Sequence, residues 1–285
     1  MIAPDVSDLV RSVISVERRW LVVEGDCRDL FAMLPDASVD HVITDPPYSE
    51  HVHSKSRAGA RSLTDVGDIP GRCSHKPSNS AISRAVDFGF DALSEEMRDV
   101  CGRHFRRVAK RWRLVFSDIE SCHLWRIAMA EEDYVRTGIW HKIGATPQFT
   151  GDRPAVAAEA ITISHASGRK RWNGGGRHGI WSYPIELDRL ARGRTPRVHP
   201  TQKPLALMLA LVADFTDPGD LILDPFGGSG TTAVAALRLG RRVIVCELDP
   251  RHAAVARERL EAEAAGSTLA AQRDGQVALF GREIA

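Results

Sequence analysis

The sequence predicts an α/β protein in which a mostly parallel sheet carries helices on both faces. Along most of its 285 residues, short apolar runs alternate with segments of helical periodicity. This alternation is typical of parallel strands joined by crossover helices. The chain is long enough to bury one large core, and its 43% hydrophobic and 26% charged residues are the ordinary balance of a globular protein.

In the first half of the chain, apolar runs predict strands at 20–24, 39–44, 114–118, 134–142 and 157–165, and helical periodicity covers 27–34, 94–110 and 121–131. Pro46 and Pro47 directly follow the second of these strands. Proline cannot continue a central strand, so the chain leaves the sheet there. Residues 45–48 therefore lie at the carboxyl end of a strand, where open α/β sheets bind their ligands.

The second half continues the alternation, with predicted strands at 221–223 and 243–246 and predicted helices at 204–215, 231–239 and 250–264. The predicted sheet thus has seven strands. Two polar segments interrupt the pattern, and we interpret 49–90 as a long mobile loop and 166–198 as an irregular basic insert. We expect residues 1–264 to form one domain, and the weakly periodic tail, 265–285, to be loosely ordered.

Composition argues against several other classes of protein. No apolar run approaches the roughly 20 residues that span a bilayer, and the first residues lack the basic-then-apolar order of a signal peptide. The five cysteines are scattered and form no Cys-x-x-Cys pair, which favours reduced thiols and argues against structural zinc. We therefore expect a cytoplasmic protein that holds no metal.

Positive charge is concentrated in two parts of the chain although the formal net charge is only +1. Residues 51–113 hold 13 Lys and Arg against 7 Asp and Glu, and residues 165–203 hold 9 against 2. Such clusters are typical of surfaces that contact a nucleic-acid backbone, although a run of charge is also common on an ordinary solvated face. Charge by itself leaves both interpretations open.

A glycine-rich turn, Asp-Pro-Phe-Gly-Gly-Ser-Gly-Thr, joins a predicted strand to a predicted helix at residues 224–231. Glycines at this place allow a tight turn and let the backbone approach a ligand closely. Gly230 is followed by threonine and not by the lysine of a phosphate-binding loop, which disfavours a nucleoside triphosphate. Glu247 ends the next strand, where an acid binds ribose hydroxyls in dinucleotide-type folds, so NAD remains a competing ligand.

The Asp-Pro-Pro-Tyr turn at residues 45–48 has the groups needed to activate an exocyclic amine of a nucleobase. The lone pair of such an amine is delocalised into the ring, and acceptors at its two hydrogens would localise it. The Asp45 carboxylate and the Pro46 carbonyl can accept one hydrogen each, Pro47 stiffens the turn, and Tyr48 offers a face for stacking on an extruded base. A proline-stiffened turn with a solvated aspartate is the alternative.

Together, these two turns resemble the catalytic and cofactor motifs of the β-class DNA amino-methyltransferases, in which the catalytic turn comes first in the chain. The resemblance covers residues 20–262, and one departure is Gly227, where the family commonly has alanine. It implies a permuted Rossmann-like methyltransferase fold, S-adenosylmethionine as cofactor, double-stranded DNA as substrate, and a homodimer in a bacterial or phage-encoded system. It does not imply whether the enzyme is an orphan or is paired with a restriction nuclease.

The resemblance also implies a set of functional residues. Segment 24–27 is similar to the part of the family that lies beside the cofactor adenine, and segment 199–204 to the part that helps to hold the methionine end. The catalytic set is Asp45, Pro46, Pro47 and Tyr48. The implied cofactor set is Asp26, Cys27, Asp45, Thr201, Lys203, Asp224, Pro225, Phe226, Gly228, Ser229, Gly230, Thr231, Glu247 and Leu248.

Adenine N6 is the favoured target, because the Asp-Pro-Pro-Tyr form is most associated with adenine enzymes. Cytosine N4 uses the same chemistry and stays open. A methyltransferase acting on RNA or a protein amide is disfavoured by the order of the two motifs. A non-catalytic DNA-binding protein that kept the fold is disfavoured because both motifs are intact.

Further segments suggest contacts with macromolecules. The positive charge of the loop 49–90 and of the basic insert 166–198 makes both of them candidate DNA-recognition elements. Within the basic insert, the run Arg169, Lys170, Arg171, Trp172 and Asn173 offers phosphate contacts, a wedge aromatic and an amide that can read a base edge. Alternatively, Trp172 and Trp181 pack onto the core. In the tail, Gln276, Leu279 and Phe280 match the Gln-x-x-Leu-Phe peptide that binds the bacterial sliding clamp, or they tie the tail to the domain.

Overall fold

One mixed sheet runs through the part of the chain that the computed structural model describes, residues 5–48, 92–145, 147, 152–185 and 202–266. Its strands in chain order are Trp20–Glu24 (β1), His41–Thr44 (β2), Trp112–Ser117 (β3), Tyr134–Ile143 (β4), Ala158–His165 (β5), Ile180–Pro184 (β6), Leu221–Asp224 (β7) and Arg242–Glu247 (β8). The helices in these residues are Val6–Ile14 (α1), Cys27–Met33 (α2), Glu95–Val108 (α3), Cys122–Ala128 (α4), Leu205–Phe215 (α5), Thr231–Arg238 (α6) and Pro250–Ala264 (α7), with a short 3₁₀ turn at Glu131–Asp133.

The strand order across the sheet is β1-β8-β7-β2-β3-β5-β4-β6. The first five of these strands are mutually parallel, so their carboxyl ends share one edge of the sheet. Strand β5 runs antiparallel to both β3 and β4, which brings its first residues to that same edge. We call it the carboxyl edge. The predicted mostly parallel, permuted Rossmann-like sheet is confirmed.

The prediction of seven strands was wrong, because the described part of the sheet has eight. The additional strand, β6, lies inside the segment 166–198 that the sequence marked as an irregular insert. Trp181 of β6 pairs with Trp140 of β4 and is buried. The strand is short and follows a run of glycine and arginine, which hides its alternation from a periodicity search.

Two apolar clusters cover the two faces of the sheet, as the alternation of side chains along each strand requires. Helices α5, α6 and α7 pack on one face, and α1 to α4 on the other. The side chains of β2, β3 and β7 are buried on both faces. Helices therefore flank the sheet on both sides, as predicted. None of the described helices is long and apolar enough to cross a membrane.

Candidate active site

The Asp-Pro-Pro-Tyr turn and the glycine turn lie side by side at the carboxyl edge. Strand β2, which ends just before Asp45, pairs in parallel with β7, which ends at Asp224. The hydroxyl of Thr44 donates a 2.7 Å hydrogen bond to Asp224 Oδ1 and so joins the ends of the two strands. Residues far apart in the sequence therefore meet because their strands are neighbours.

The glycine turn is shaped by Gly227 and Gly228, for two different reasons. A Cβ at Gly227 would lie 2.0 Å from Val245 Cγ1, so the turn packs directly on β8. Gly228 has a φ of +52°, a left-handed conformation that other residues rarely adopt, and a Cβ there would meet no atom of the described residues within 4 Å. The turn is thus packed on its inner side and open in front of Gly228.

Glu247 fastens this turn to the end of β8. Its Oε2 accepts a 2.7 Å hydrogen bond from the Gly228 amide, and its Oε1 accepts a 2.9 Å bond from the Asp249 amide. Each carboxylate oxygen has two lone pairs, so both oxygens can still accept a ribose hydroxyl. The next residue, Leu248, is 71% exposed and offers an apolar surface beside the turn.

Arg259 of α7 reaches back to the same turn. Its Nη1 donates to the Ser229 carbonyl at 2.6 Å, to the Ser229 hydroxyl at 3.1 Å and to the Thr231 hydroxyl at 3.2 Å. The sequence did not mark Arg259, because a helical arginine has no signal of its own until the packing of α7 is known. It holds the start of α6 and the turn that precedes it.

Asp224, Pro225 and Phe226 form the first part of the glycine turn. The Asp224 side chain is buried and accepts hydrogen bonds from Thr44 and, at 3.2 Å, from the Phe226 amide. Burial raises the pKa of Asp224 to about 6, although these donors oppose the shift. The contacts of this carboxylate are internal, so its role visible here is to shape the turn.

Asp26 and Cys27 lie at the carboxyl end of β1, next to β8. The Gly25 amide donates a 3.0 Å hydrogen bond to the Glu247 carbonyl, which ties this end to the glycine turn. Asp26 caps α2 by accepting from the Arg28 amide at 2.8 Å, and the Arg28 guanidinium lowers the pKa of the Asp26 carboxyl. Cys27 is buried. A contact of these residues with the cofactor adenine stays a prediction.

Lys203 is the centre of a buried charged cluster beside the catalytic turn. Its ammonium contacts Asp45 Oδ2 at 2.6 Å, Glu159 Oε2 at 3.1 Å and the Tyr48 hydroxyl at 3.2 Å. The second carboxylate oxygen of Glu159 pairs with Lys142 at 2.5 Å. Two lysines and two carboxylates therefore balance each other's charge at the carboxyl edge. We call Asp45, Tyr48, Lys142, Glu159 and Lys203 the charged cluster.

The pKa values in the charged cluster follow from burial and from these neighbours. Burial raises the pKa of Asp45, and the like charge of Glu159 adds to the rise while Lys203 opposes it. Burial favours neutral Lys203, but Asp45 and Glu159 outweigh it, so the pKa of Lys203 is raised. Burial would also raise the pKa of Glu159, yet Lys203 and Lys142 outweigh it and lower that pKa. Burial, Asp45 and Glu159 raise the pKa of Tyr48 well above its ordinary value.

The two carboxylate oxygens of Asp45 differ in their hydrogen bonding. Oδ2 accepts from Lys203, whereas Oδ1 is buried and has no hydrogen-bond partner among the described residues. A buried acceptor without a donor costs about 1–3 kcal/mol. Such an atom at the end of a strand beside an open glycine turn is suited to receive a donor from a substrate.

Lys203 was expected to help hold the methionine end of the cofactor, but its three donors are directed to Asp45, Tyr48 and Glu159. Gln202 lies nearer the glycine turn, with its Oε1 3.4 Å from the Ser229 hydroxyl. Thr201, the segment 49–90 that was predicted to be a mobile loop, and the tail with Gln276, Leu279 and Phe280 lie outside the described residues.

The predicted DNA-binding run needs a correction at two of its residues. Trp172 is partly buried, packs on Phe215 with ring centroids 4.8 Å apart and donates to the Gly175 carbonyl, so its ring packs against the core. The Asn173 amide donates to the carbonyls of α5 and of the residue after it, at 3.2 and 2.9 Å. The interpretation in which Trp172 and Trp181 pack onto the core matches these contacts.

The rest of this run lies at the opposite edge of the sheet from Asp45. Arg171 pairs with Asp217 at 2.8 Å, before β7 begins, and its carbonyl accepts from the indole of Trp112, the first residue of β3. Arg169 and Lys170 are exposed beside it. Because of this placement, we do not expect residues 169–171 to contact the DNA that is bound at the catalytic turn.

Glu159 and Lys142 were missed by the sequence analysis. Each is one charged residue in a predicted strand, with no motif around it. Their importance depends on β5 and β4 lying next to β3, an order that periodicity cannot reveal.

A permuted Rossmann-like sheet with these two adjacent turns is the fold of a methyltransferase. The model of the DNA methylase family N6_N4_Mtase matches residues 39–258, and the chain belongs to this family. Its cofactor is S-adenosylmethionine.

Similar proteins include the type II methyltransferase M.HinfI of Haemophilus influenzae, which is 25% identical over 261 residues, covering 84% of this chain and 67% of that protein. The crystal structure of the M1.HpyAVI–SAM complex matches with a TM-score of 0.56 at 20% identity, covering 85% of this chain and 98% of that one. The cytosine-N4-specific PvuII DNA methyltransferase matches with a TM-score of 0.57 at 16% identity, covering 84% and 86%. Both structures support the fold.

Proposed function

We propose that this DNA methylase transfers a methyl group from S-adenosylmethionine to the exocyclic N6 of an adenine that has left the DNA duplex. The observation that carries the proposal is the buried Oδ1 of Asp45, which has no hydrogen-bond partner among the described residues and lies next to the open face of the glycine turn. The family supplies the reaction class, and the form of the turn at residues 45–48 favours adenine.

The residues at the glycine turn fit the cofactor. Open space in front of Gly228 admits a ligand against the backbone, and the free lone pairs of Glu247 suit the two ribose hydroxyls. The exposed side chain of Leu248 suits the apolar face of adenine. When bound, S-adenosylmethionine supplies an electrophilic methyl group on a sulfonium.

The catalytic turn acts on the amine of the base. Asp45 Oδ1 accepts one N–H and the Pro46 carbonyl accepts the other, which draws the nitrogen lone pair out of the ring system. The Tyr48 ring stacks on the base and keeps the nitrogen aligned for transfer. Alignment of this kind lowers the barrier by proximity and orientation, and the chain's part in the reaction is to hold and orient the amine.

Cytosine N4 is the second candidate target. Its amine has the same two hydrogens and would use the same acceptors, and the cytosine-N4-specific PvuII enzyme has the same fold. The favoured adenine assignment rests on the family's use of the Asp-Pro-Pro-Tyr form. Homodimer formation and clamp binding through the tail also stay predictions.

Transfer of a labelled methyl group to DNA by the wild type and by Asp45→Ala tests the role of the turn. We expect Asp45→Ala to abolish transfer, because the amine loses its carboxylate acceptor, while cofactor affinity measured by calorimetry stays close to wild type. Asp36→Ala is the matched control, since the Asp36 side chain is 79% exposed and pairs only with Arg107 among the described residues. Activity retained in Asp45→Ala would remove Asp45 from the mechanism.

A further inference from the structure

Glu159 lies where β5 enters the carboxyl edge, although no motif marks it. It pairs in register with Trp140 of β4, and the following residue, Ala160, pairs with Ser117 of β3. The antiparallel course of β5 therefore brings the start of that strand level with the ends of β2 and β3. The Glu159 side chain is buried at this point, with 8% of the residue exposed.

The hydrogen bonds of Glu159 determine the direction of every bond around Tyr48. The Tyr48 hydroxyl donates its single proton to Glu159 Oε2 at 2.5 Å, so it accepts from Lys203 at 3.2 Å. Lys203 uses its remaining donors on Asp45 Oδ2 and on Glu159 Oε2. As a result, Glu159 holds both the stacking residue and the lysine that orients Asp45.

The charge of Glu159 is as important as its hydrogen bonds. Without it, Lys203 would keep Asp45 as its carboxylate partner, while Lys142 would lose the carboxylate with which it pairs, and an unpaired charge is costly in a buried setting. Asp45 would then be the only carboxylate of the charged cluster that holds the Lys203 ammonium in place. The Tyr48 hydroxyl would lose its charged acceptor. The geometry around Asp45 Oδ1 thus depends on a side chain that does not itself reach the base.

We propose that Glu159 is a positioning residue for methyl transfer, which fixes the Tyr48 ring and, through Lys203, the Asp45 carboxylate. This inference rests on the proposed function of the catalytic turn. A positioning role makes a demand that a merely structural role does not. When Glu159 loses its charge, the protein should still fold and bind the cofactor, but the environment of Tyr48 and the ionisation of Asp45 should change.

The test compares Glu159→Gln with Asp214→Asn. Asp214 is the matched control because it is also buried and accepts from an aromatic N–H, that of Trp181 at 2.9 Å, but lies away from the catalytic turn. Protein labelled with carbon-13 at the tyrosine Cζ gives one resonance for each of its three tyrosines, and Tyr48→Phe assigns that of Tyr48. In Glu159→Gln without ligands, we expect the Tyr48 resonance to move and those of Tyr134 and Tyr183 to stay. In Asp214→Asn, all three should stay.

The kinetic measurements use the same variants. We expect Glu159→Gln to lower kcat by about 100-fold, the size of effect that misplacement of a reacting group produces, with the Kd for S-adenosylmethionine within about twofold of wild type. Asp214→Asn should keep kcat within about threefold of wild type, since isosteric changes remote from the reacting groups have small effects.

The pH profile separates positioning from general destabilisation. The described charged and titratable groups around Asp45 are Lys203, Glu159, Tyr48 and, behind Thr44, Asp224. Loss of the Glu159 charge removes a like charge from Asp45, so the Asp45-dependent acid limb of kcat should move to lower pH.

An unmoved Tyr48 resonance, a kcat within twofold of wild type, or a fall in kcat with an unmoved acid limb would overturn the inference. If the wild type itself transfers no methyl group to DNA, the proposed function fails, while the tyrosine resonances still decide whether Glu159 holds Tyr48.

Discussion

The pH dependence of the unfolding free energy tests the role of Asp224, which lies where the two turns meet. Its carboxylate is 2% exposed and is held by the Thr44 hydroxyl and the Phe226 amide. Burial raises its pKa from an ordinary 3.8 to about 6, so the folded protein binds a proton that the unfolded chain releases. This group therefore destabilises the folded state as the pH rises from 3.8 to about 6.

The size of the effect follows from the interval between the two pKa values. Each pH unit is about 1.4 kcal/mol, so the interval from 3.8 to about 6 corresponds to about 3 kcal/mol of unfolding free energy lost by pH 7. Asp224→Asn keeps an acceptor for Thr44 and Phe226 and does not titrate. We expect the wild type to lose about 2.4 kcal/mol of this relative to Asp224→Asn between pH 4 and pH 7, since the remainder is already lost below pH 4.

Urea unfolding at closely spaced pH values measures this difference, with circular dichroism and tryptophan fluorescence as two probes of one transition. Thr44→Val is the companion variant. It removes a donor that lowers the Asp224 pKa, so the loss of stability should extend to higher pH. Parallel curves for the wild type and Asp224→Asn between pH 4 and 7 would refute the reasoning.

Three other predictions follow from the described contacts. Lys203→Met should cost about 3–5 kcal/mol in urea unfolding, because it leaves two buried carboxylates without their shared cation, and should move the acid limb of kcat to higher pH. Gly227→Ala should weaken S-adenosylmethionine binding in calorimetry, because its Cβ would lie 2.0 Å from Val245 Cγ1; unchanged affinity would mean that the turn adapts. Replacing Arg169, Lys170 and Arg171 together by alanine should leave the affinity for DNA and its salt dependence close to wild type, because the run lies at the edge opposite Asp45; a clear fall in the salt slope would restore this run to the interface.

The parts of the fold that the sequence predicted are those in which local pattern and tertiary burial agree. Strands β2, β3 and β7 are buried on both faces, so each contains a short apolar run, such as Leu114 to Phe116 in β3, that needs no context to recognise. The two turns were recognisable because proline and glycine restrict the backbone wherever they occur. Strand β6 was not predicted, because only Trp181 and Tyr183 show the alternation of a strand within a glycine- and arginine-rich segment.

The residues of the candidate site also fall into those that the sequence could predict and those that it could not. Asp45, Tyr48, Gly228 and Glu247 belong to motifs or strand ends, and the sheet brings all of them to one edge. Glu159 gains its role only because β5 reverses direction beside β3, a contact between strands separated by a helix and another strand. Long-range strand order is determined by packing of whole elements, so single-residue signals could not have predicted it.

The identity of the methylated nucleoside tests the central claim most directly. The wild type is incubated with DNA and S-adenosylmethionine carrying a labelled methyl group, the DNA is digested to nucleosides, and the label is followed by chromatography against standards. We predict that the label elutes with N6-methyldeoxyadenosine. Label in N4-methyldeoxycytidine would contradict the adenine assignment. Unlabelled DNA after incubation with a folded protein that binds the cofactor would contradict the proposed reaction itself.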